Sequence, residues 1–279
     1  MLFYQNQIIN SLKKINNYNV KYYNIDLIIS GGGCSGFYYA GTFEIIKYLE
    51  KMNKIYINKI YATSAGVLAA IFYLCKIDIE EWIRAYNYAK NNKSNDFHNI
   101  IMKTLKHFIP NKAYQICNNI LNIVLSKRTL FGFKKEIFNN FNSNDELLLY
   151  VSAAINVPFL ISNNYMGIKI NNNYYYDGVF VCNTPIQYNS QLPQLVFKTH
   201  KIEYPLKYAF SIKDKCIELL MIRGFIETDK FFRTEQSDTL FWIDKNLQKK
   251  TVVKRNKCFY IINLLSIGIY FIMNYNNKY

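Results

Sequence analysis

Apolar and polar positions alternate along this chain with two different periods. Leu2, Ile8, Ile9, Leu12 and Ile15 stand near helical spacing, and Ile25 to Ile29 form a short apolar run ended by Ser30 and three glycines. The pattern predicts a helix, then a strand and a turn. Phe37 to Met52 has helical periodicity, Tyr56 to Tyr61 is a second β-like run, and Gly66 to Cys75 predicts an apolar helix running on toward Trp82 and Tyr86. Strand, helix, strand and helix in close succession predict a parallel α/β sheet.

From about Asn91 to Asn144 the chain is polar and Asn-rich, and helical stretches are expected at Ala113 to Leu125 and Phe133 to Phe141, laid over the sheet. Strand-like runs return at Leu147 to Ile155, Tyr165 to Ile170 and Leu195 to Thr199, between Asn, Gly and Pro punctuation. Cys258 to Met273 is a last, mostly apolar run. At ~1.5 Å per residue a helix there reaches roughly 24 Å, short of the ~30 Å of a bilayer's hydrocarbon core, so it reads as a core helix or an interfacial anchor.

Composition narrows the class. With 279 residues, 51% of them apolar and with 25 Tyr and 20 Phe, the chain can bury a sizeable core, which excludes disorder, collagen and a disulfide scaffold. The 34 Lys and Arg against 19 Asp and Glu give a net charge of +15. Asn, Lys, Ile, Tyr and Phe are over-used together, as A+T-rich codons dictate, and the charge is spread out except for the basic run 249–257, so nucleic acid is not an expected partner. Six cysteines form no CxxC pair and have no ligand-like spacing with the three histidines, so no metal is expected. The start lacks a signal-peptide pattern, which predicts reduced thiols and a cytoplasmic chain.

Three short segments carry chemistry. Gly31-Gly32-Gly33-Cys34-Ser35-Gly36 lies between a predicted strand and a predicted helix, where glycines let backbone N–H groups converge on an anion. Read alone, Gly31, Gly33 and Gly36 also fit the dinucleotide fingerprint, which asks for an acid at the end of the next strand. That strand ends instead in Ala62-Thr63-Ser64-Ala65-Gly66, a serine among small residues at a strand-to-helix junction, the arrangement of a nucleophile elbow. Asp177, followed by Gly178, is the sole acid between Glu146 and Glu203 and is a candidate base, or else part of an Asp-Gly turn between strands. An exposed nucleophile beside preorganised donors is what acyl transfer needs.

Together these residues resemble the patatin-like phospholipase family, with Gly31 to Gly36 matching its glycine-rich motif, Ala62 to Gly66 its serine elbow, and Asp177 with Gly178 its Asp-Gly motif. Val151-Ser152-Ala153-Ala154-Ile155 is similar to the small-residue strand before the family's Asp, and Asn183 with Pro185 to the Asn-x-Pro after it. Ser35 stands where plant and bacterial members often carry a basic residue, closer to the animal adipose-lipase branch. Ala62 replaces a Gly, and Val179 stands where Gly or Ala is common.

The resemblance implies a three-layer α/β/α fold with a mainly parallel sheet. It implies a single domain: an N-terminal helical segment over 1–24, a catalytic core over 25–205, and a C-terminal helical region over 206–279. It also implies a lipid acyl hydrolase without cofactor, acting on phospholipid or acylglycerol through a Ser64–Asp177 dyad and an acyl-serine. The N–H groups of Gly32, Gly33 and Cys34 would hold the oxyanion. The partner would be a membrane or lipid-droplet surface, bound peripherally. A Ser64–Asp177–His200 triad, a nucleotide-binding protein using Gly31, Gly33 and Gly36, and an inactive lipid-binding scaffold stand as alternatives.

Overall fold

The structure is a computed structural model that describes residues 18–91, 96–158, 160–162, 164–199 and 217–244. The chain divides into two compact units, 1–243 and 244–279, and every element below belongs to the first. The expected helix at residues 2–15, the boundary at 205, His200, the basic run and the apolar run 258–273 lie outside the described residues.

β1 (Asn24–Ile29) leads through a tight 3-10 turn, Gly33–Phe37, into α1 (Tyr38–Lys51) and β2 (Tyr56–Ala62). Four helices follow: α2 (Ala65–Leu74), α3 (Ile79–Lys90), α4 (Phe97–Phe108) and the short α5 (Ala113–Cys117). A hairpin of β3 (Leu121–Thr129) and β4 (Gly132–Phe138) comes next, then α6 (Asn144–Ala154), β5 (Ile168–Ile170), β6 (Asn173–Asp177) and β7 (Gln194–Phe197). The described chain ends with α7 (Ile217–Thr234) and β8 (Leu240–Ile243).

All eight strands join one sheet in the order β5-β6-β3-β2-β1-β7-β8, with β4 also on β3. β7, β1, β2 and β3 run parallel at its centre, and antiparallel pairs complete both flanks. The two-residue period of β1 sends Leu27 and Ile29 into the main core and Ile28 to the opposite face, beside Val196 and Ile243. Each of the seven described helices buries residues in that main core. α1 and α7 cross there at two glycines: a Cβ on Gly41 would lie 1.8 Å from Met221 O, and one on Gly224 1.9 Å from Tyr38 O.

Four sequence expectations are corrected. Leu147 to Ile155, read as a strand, is the greater part of α6. The run is almost continuously apolar because the helix is buried on most of its circumference, so no 3.6-residue rhythm survives. Ser143 caps it by accepting the Glu146 N–H at 3.1 Å, while Glu146 accepts the Asn142 N–H at 2.7 Å, a variant of the capping box. The helix expected from Ala113 to Leu125 stops at Cys117, where Asn119 turns left-handed at φ 64°, and β3 begins four residues on. The helix expected from Phe133 to Phe141 is strand β4. The apolar helix from Gly66 does not run on to Trp82: Lys76 takes φ 56° and Asp78 caps a separate α3 through the Glu81 N–H at 2.8 Å.

Candidate active site

Strand β3 brings the expected residues together. β4 pairs with β3 along Ile123 to Thr129, so the partners of β3 at Ile123 and at Leu125 to Lys127 share its other edge. β2 arrives along that edge in parallel and ends with Ala62 opposite Ile123. β6 arrives antiparallel and ends with Asp177 opposite Leu125. Two chain ends thus meet head to head across Val124. A Cβ on Gly178 would lie 2.3 Å from Val124 O and 3.0 Å from Thr63 Cγ2, so Gly at 178 is what lets them close.

Beyond Ala62 the chain turns sharply into α2. Ser64 is the N-cap residue, at φ 55° and ψ −132°, a region that costs a non-glycine residue about 1–3 kcal/mol and is typical of functional turns. The turn is braced by Thr63 N–H to Ile29 O at 3.2 Å and Gly66 N–H to Thr63 O at 3.0 Å. Gly66 is needed for approach: a Cβ there would meet Ile29 O and Ser30 O, each at 2.9 Å. Ala62 is buried in the strand, before the strained position, so its methyl lies in the core and not in the turn. Ala65, the first residue of α2, packs its methyl 3.2 Å from where a Cβ on Gly36 would sit.

The glycine-rich segment lies against the serine. A Cβ on Gly31 would be 2.7 Å from Ser64 Cβ and 2.9 Å from Asn183 Oδ1, so a side chain there would fill the space beside the hydroxyl. Gly33 takes φ 57° as the 3-10 turn begins, and the N–H groups of Gly32 and Gly33 donate to no acceptor among the described residues. The segment is held from both sides: Gly31 N–H donates to Asn183 O at 3.2 Å and Thr199 Oγ1 donates to Gly31 O at 2.8 Å. Cys34 lies at the turn, 8% exposed, on the wall of the cavity described below.

Asp177 is wholly buried. Its Oδ1 accepts the Val179 N–H at 2.9 Å, whereas Oδ2 is sealed from solvent and closes no hydrogen bond. Burial disfavours the carboxylate and pushes its pKa from 3.8 up to about 7. The Ser64 hydroxyl and the Val179 N–H, which stabilise the charge, hold it from going higher. The neighbouring tyrosine hydroxyls spend their hydrogen bonds elsewhere: Tyr175 on Glu136 at 2.8 Å, Tyr176 on Tyr165 O at 3.0 Å. Val179 serves only through its backbone, in a 3-10 turn that any residue adopts.

An apolar cavity of about 130 Å³ opens at Ser64 and Gly33. α2 contributes Ala65, Leu68, Ala69 and Phe72, one stripe of the helix. α3 contributes Trp82, Ala85, Tyr86 and Ala89, and α4 adds Phe97, Ile101, Thr104 and Leu105. Thr104 donates its hydroxyl to Ile100 O at 2.8 Å and so adds no free donor to the wall. Phe72 and Trp82 meet edge to face at 4.8 Å at the far end. The sequence reading missed this cavity, and it missed Thr199. The position of Thr199, just past a central parallel strand, was the available signal, since binding residues collect at the carboxyl ends of such strands.

Sheet, serine turn and buried aspartate define an α/β protein with an apolar cavity beside them. A family profile described as patatin-like phospholipase matches residues 27–189, more than half of the chain, and the chain belongs to that family. Human omega-hydroxyceramide transacylase is 25% identical over 164 residues, 54% of this chain and 30% of the relative; the match thus spans less than a third of that protein. Among solved structures, the heterodimeric ExoU-SpcU complex from the type III secretion system of Pseudomonas aeruginosa is similar at TM-score 0.38 and 12% identity. That match covers 87% of this chain and 59% of the other.

Proposed function

We propose that the protein is a lipid acyl hydrolase that cleaves carboxylic esters through a Ser64–Asp177 dyad. The observation that carries this reading is the unpartnered, buried Oδ2 of Asp177, on a carboxyl whose charge is stabilised by the hydroxyl of Ser64, a residue that lines an apolar cavity. Oδ2 takes the hydroxyl proton as Ser64 Oγ attacks the ester carbonyl. The negative charge on the carbonyl oxygen is held by the N–H groups of Gly32 and Gly33, with Cys34 beside them. The alcohol leaves with the proton from Asp177, and the acyl-serine is released when the carboxylate activates a second nucleophile. A base with a pKa near 7 suits both half-reactions, being able to take and return a proton at neutral pH.

The acyl chain occupies the cavity along α2. From Ser64 to Phe72 the helix rises ~12 Å, about the length of a ten-carbon chain. The predominantly apolar wall supports phospholipid or acylglycerol esters over small polar ones. Because one relative is named a transacylase, transfer of the acyl group to an alcohol in place of water is the second reading. The two differ only in the acceptor, and product analysis with and without added long-chain alcohol separates them.

A fluorophosphonate probe tests the core of this reading. Wild type is expected to be labelled and Ser64→Ala to lose both label and esterase activity, by on the order of 10³-fold or more. Equal labelling of the two, or none of either, overturns it.

A further inference from the structure

The β3–β4 hairpin ends in two large apolar side chains that touch almost nothing: Leu130 is 96% exposed and Phe131 99%. Single exposed apolar residues are ordinary. Here two are adjacent on a four-residue turn, closed by Gly132 at φ 118° with open space around it. Cations flank the tip on both strands, Lys127 and Arg128 on one side and Lys134 and Lys135 on the other. The nearest acid, Glu136, is engaged with Lys127 at 3.2 Å and with the Tyr175 hydroxyl at 2.8 Å.

The tip also has a defined place relative to the site. β3 runs parallel to β2 and passes the level of Asp177 at Leu125, then continues toward the same edge of the sheet. At ~3.3 Å per residue, Leu130 stands roughly 17 Å beyond that level. The hairpin is fixed close to its tip to the segment that carries Asp177: Phe133 stacks on Phe180 at 5.2 Å and meets Tyr176 edge to face at 5.3 Å. A rigid stalk, an apolar point and a collar of positive charge form a shape matched to the boundary between headgroups and acyl chains of an anionic bilayer.

We propose that this hairpin docks the protein on anionic lipid surfaces, with Leu130 and Phe131 entering the acyl boundary and Arg128 and Lys134 meeting headgroup phosphates. The choice of a lipid partner rests on the lipid-ester reading above; the docking itself does not need catalysis. The full chain is tested by co-sedimentation with vesicles of phosphatidylcholine plus phosphatidylserine, and of phosphatidylcholine alone. Wild type and Ser64→Ala are both expected to bind the anionic vesicles, so a failed catalytic reading leaves this one measurable. A Leu130→Ser, Phe131→Ser double variant is expected to bind at least ~10-fold more weakly. It should keep its rate on a soluble p-nitrophenyl ester, since both side chains stand in solvent. Arg128→Glu with Lys134→Glu is expected to weaken binding and flatten its salt dependence. Wild-type partitioning by the double variant, or no binding of anionic vesicles by wild type, overturns the proposal. So does a change of oligomeric state in the double variant without a change in vesicle binding, which would make the tip a contact between copies of the chain.

Discussion

Asp177 is a carboxyl with two opposed consequences of one burial. Its folded pKa, about 7, lies above the value of 3.8 for a free side chain, so the folded protein holds its proton more tightly than the unfolded chain does. The stability this confers is complete below about pH 4 and is lost as the pH rises through about 7. Under the proposed dyad, activity runs the other way, because the base would be the carboxylate: kcat/KM is expected to rise through about pH 7 and then level off. Asp177→Asn removes the titration while keeping the shape. It is expected to cost on the order of 10³-fold or more in kcat. It should also melt at a higher temperature than wild type at about pH 8, and thermal unfolding measured across pH checks the crossing. The pair Ser64 and Asp177, like the glycine turn, was legible in the sequence, because each needs an uncommon residue in a punctuated place. The unpartnered Oδ2 was not, since it depends on which neighbours exclude water.

At the scale of elements, the crossing of α1 and α7 is the tightest packing described. Gly224→Ala would place a methyl against a backbone carbonyl that cannot rotate away, and the helices must separate. A loss of about 1–3 kcal/mol is expected from denaturant unfolding, with the esterase rate per folded molecule little changed. β1 was legible as a short apolar run, buried on both faces, and α1 and β2 because polar positions interrupt their apolar ones at regular spacing. α6 was not, because burial on most sides erases periodicity; its Ser143 and Glu146 cap was the readable sign. The β3–β4 hairpin was obscured in a different way. Asn122 and Ser126 are buried polar residues on β3, Asn122 tied to Ile60 O and Ile120 O and Ser126 to Asp177 O, so the strand lacks a plain apolar alternation.

For the whole molecule, the cavity sets what can be bound. Its stripe of small residues, Ala69 on α2 with Ala85 and Ala89 on α3, leaves the width an acyl chain needs. Ala69→Phe or Ala85→Phe is expected to shift preference among p-nitrophenyl esters toward short chains. The loss should be at least ~10-fold for chains of about ten carbons, with butyrate cleaved at close to the wild-type rate. An equal loss on all chain lengths would place the chain elsewhere. None of this was readable from spacing, because α2, α3 and α4 follow one another in the chain but only the fold turns their small faces toward one space, where Gly33 to Phe37 and Ile155 join them from far along the sequence.

The meeting of two chain ends on one edge of β3 also bears on how such a protein changes over time. The separation of hydroxyl and carboxyl is measured out along three consecutive positions, Ile123 to Leu125, and Asp177 is pinned a second time where its N–H donates to Asn156 O at 3.1 Å. The segment from Cys75 to Ile120 can therefore lengthen, shorten or be exchanged while the two side chains keep their geometry, whereas changes between Thr129 and Tyr174 must spare Asn156. A single added residue beside Val124, by contrast, would silence a molecule that still folds.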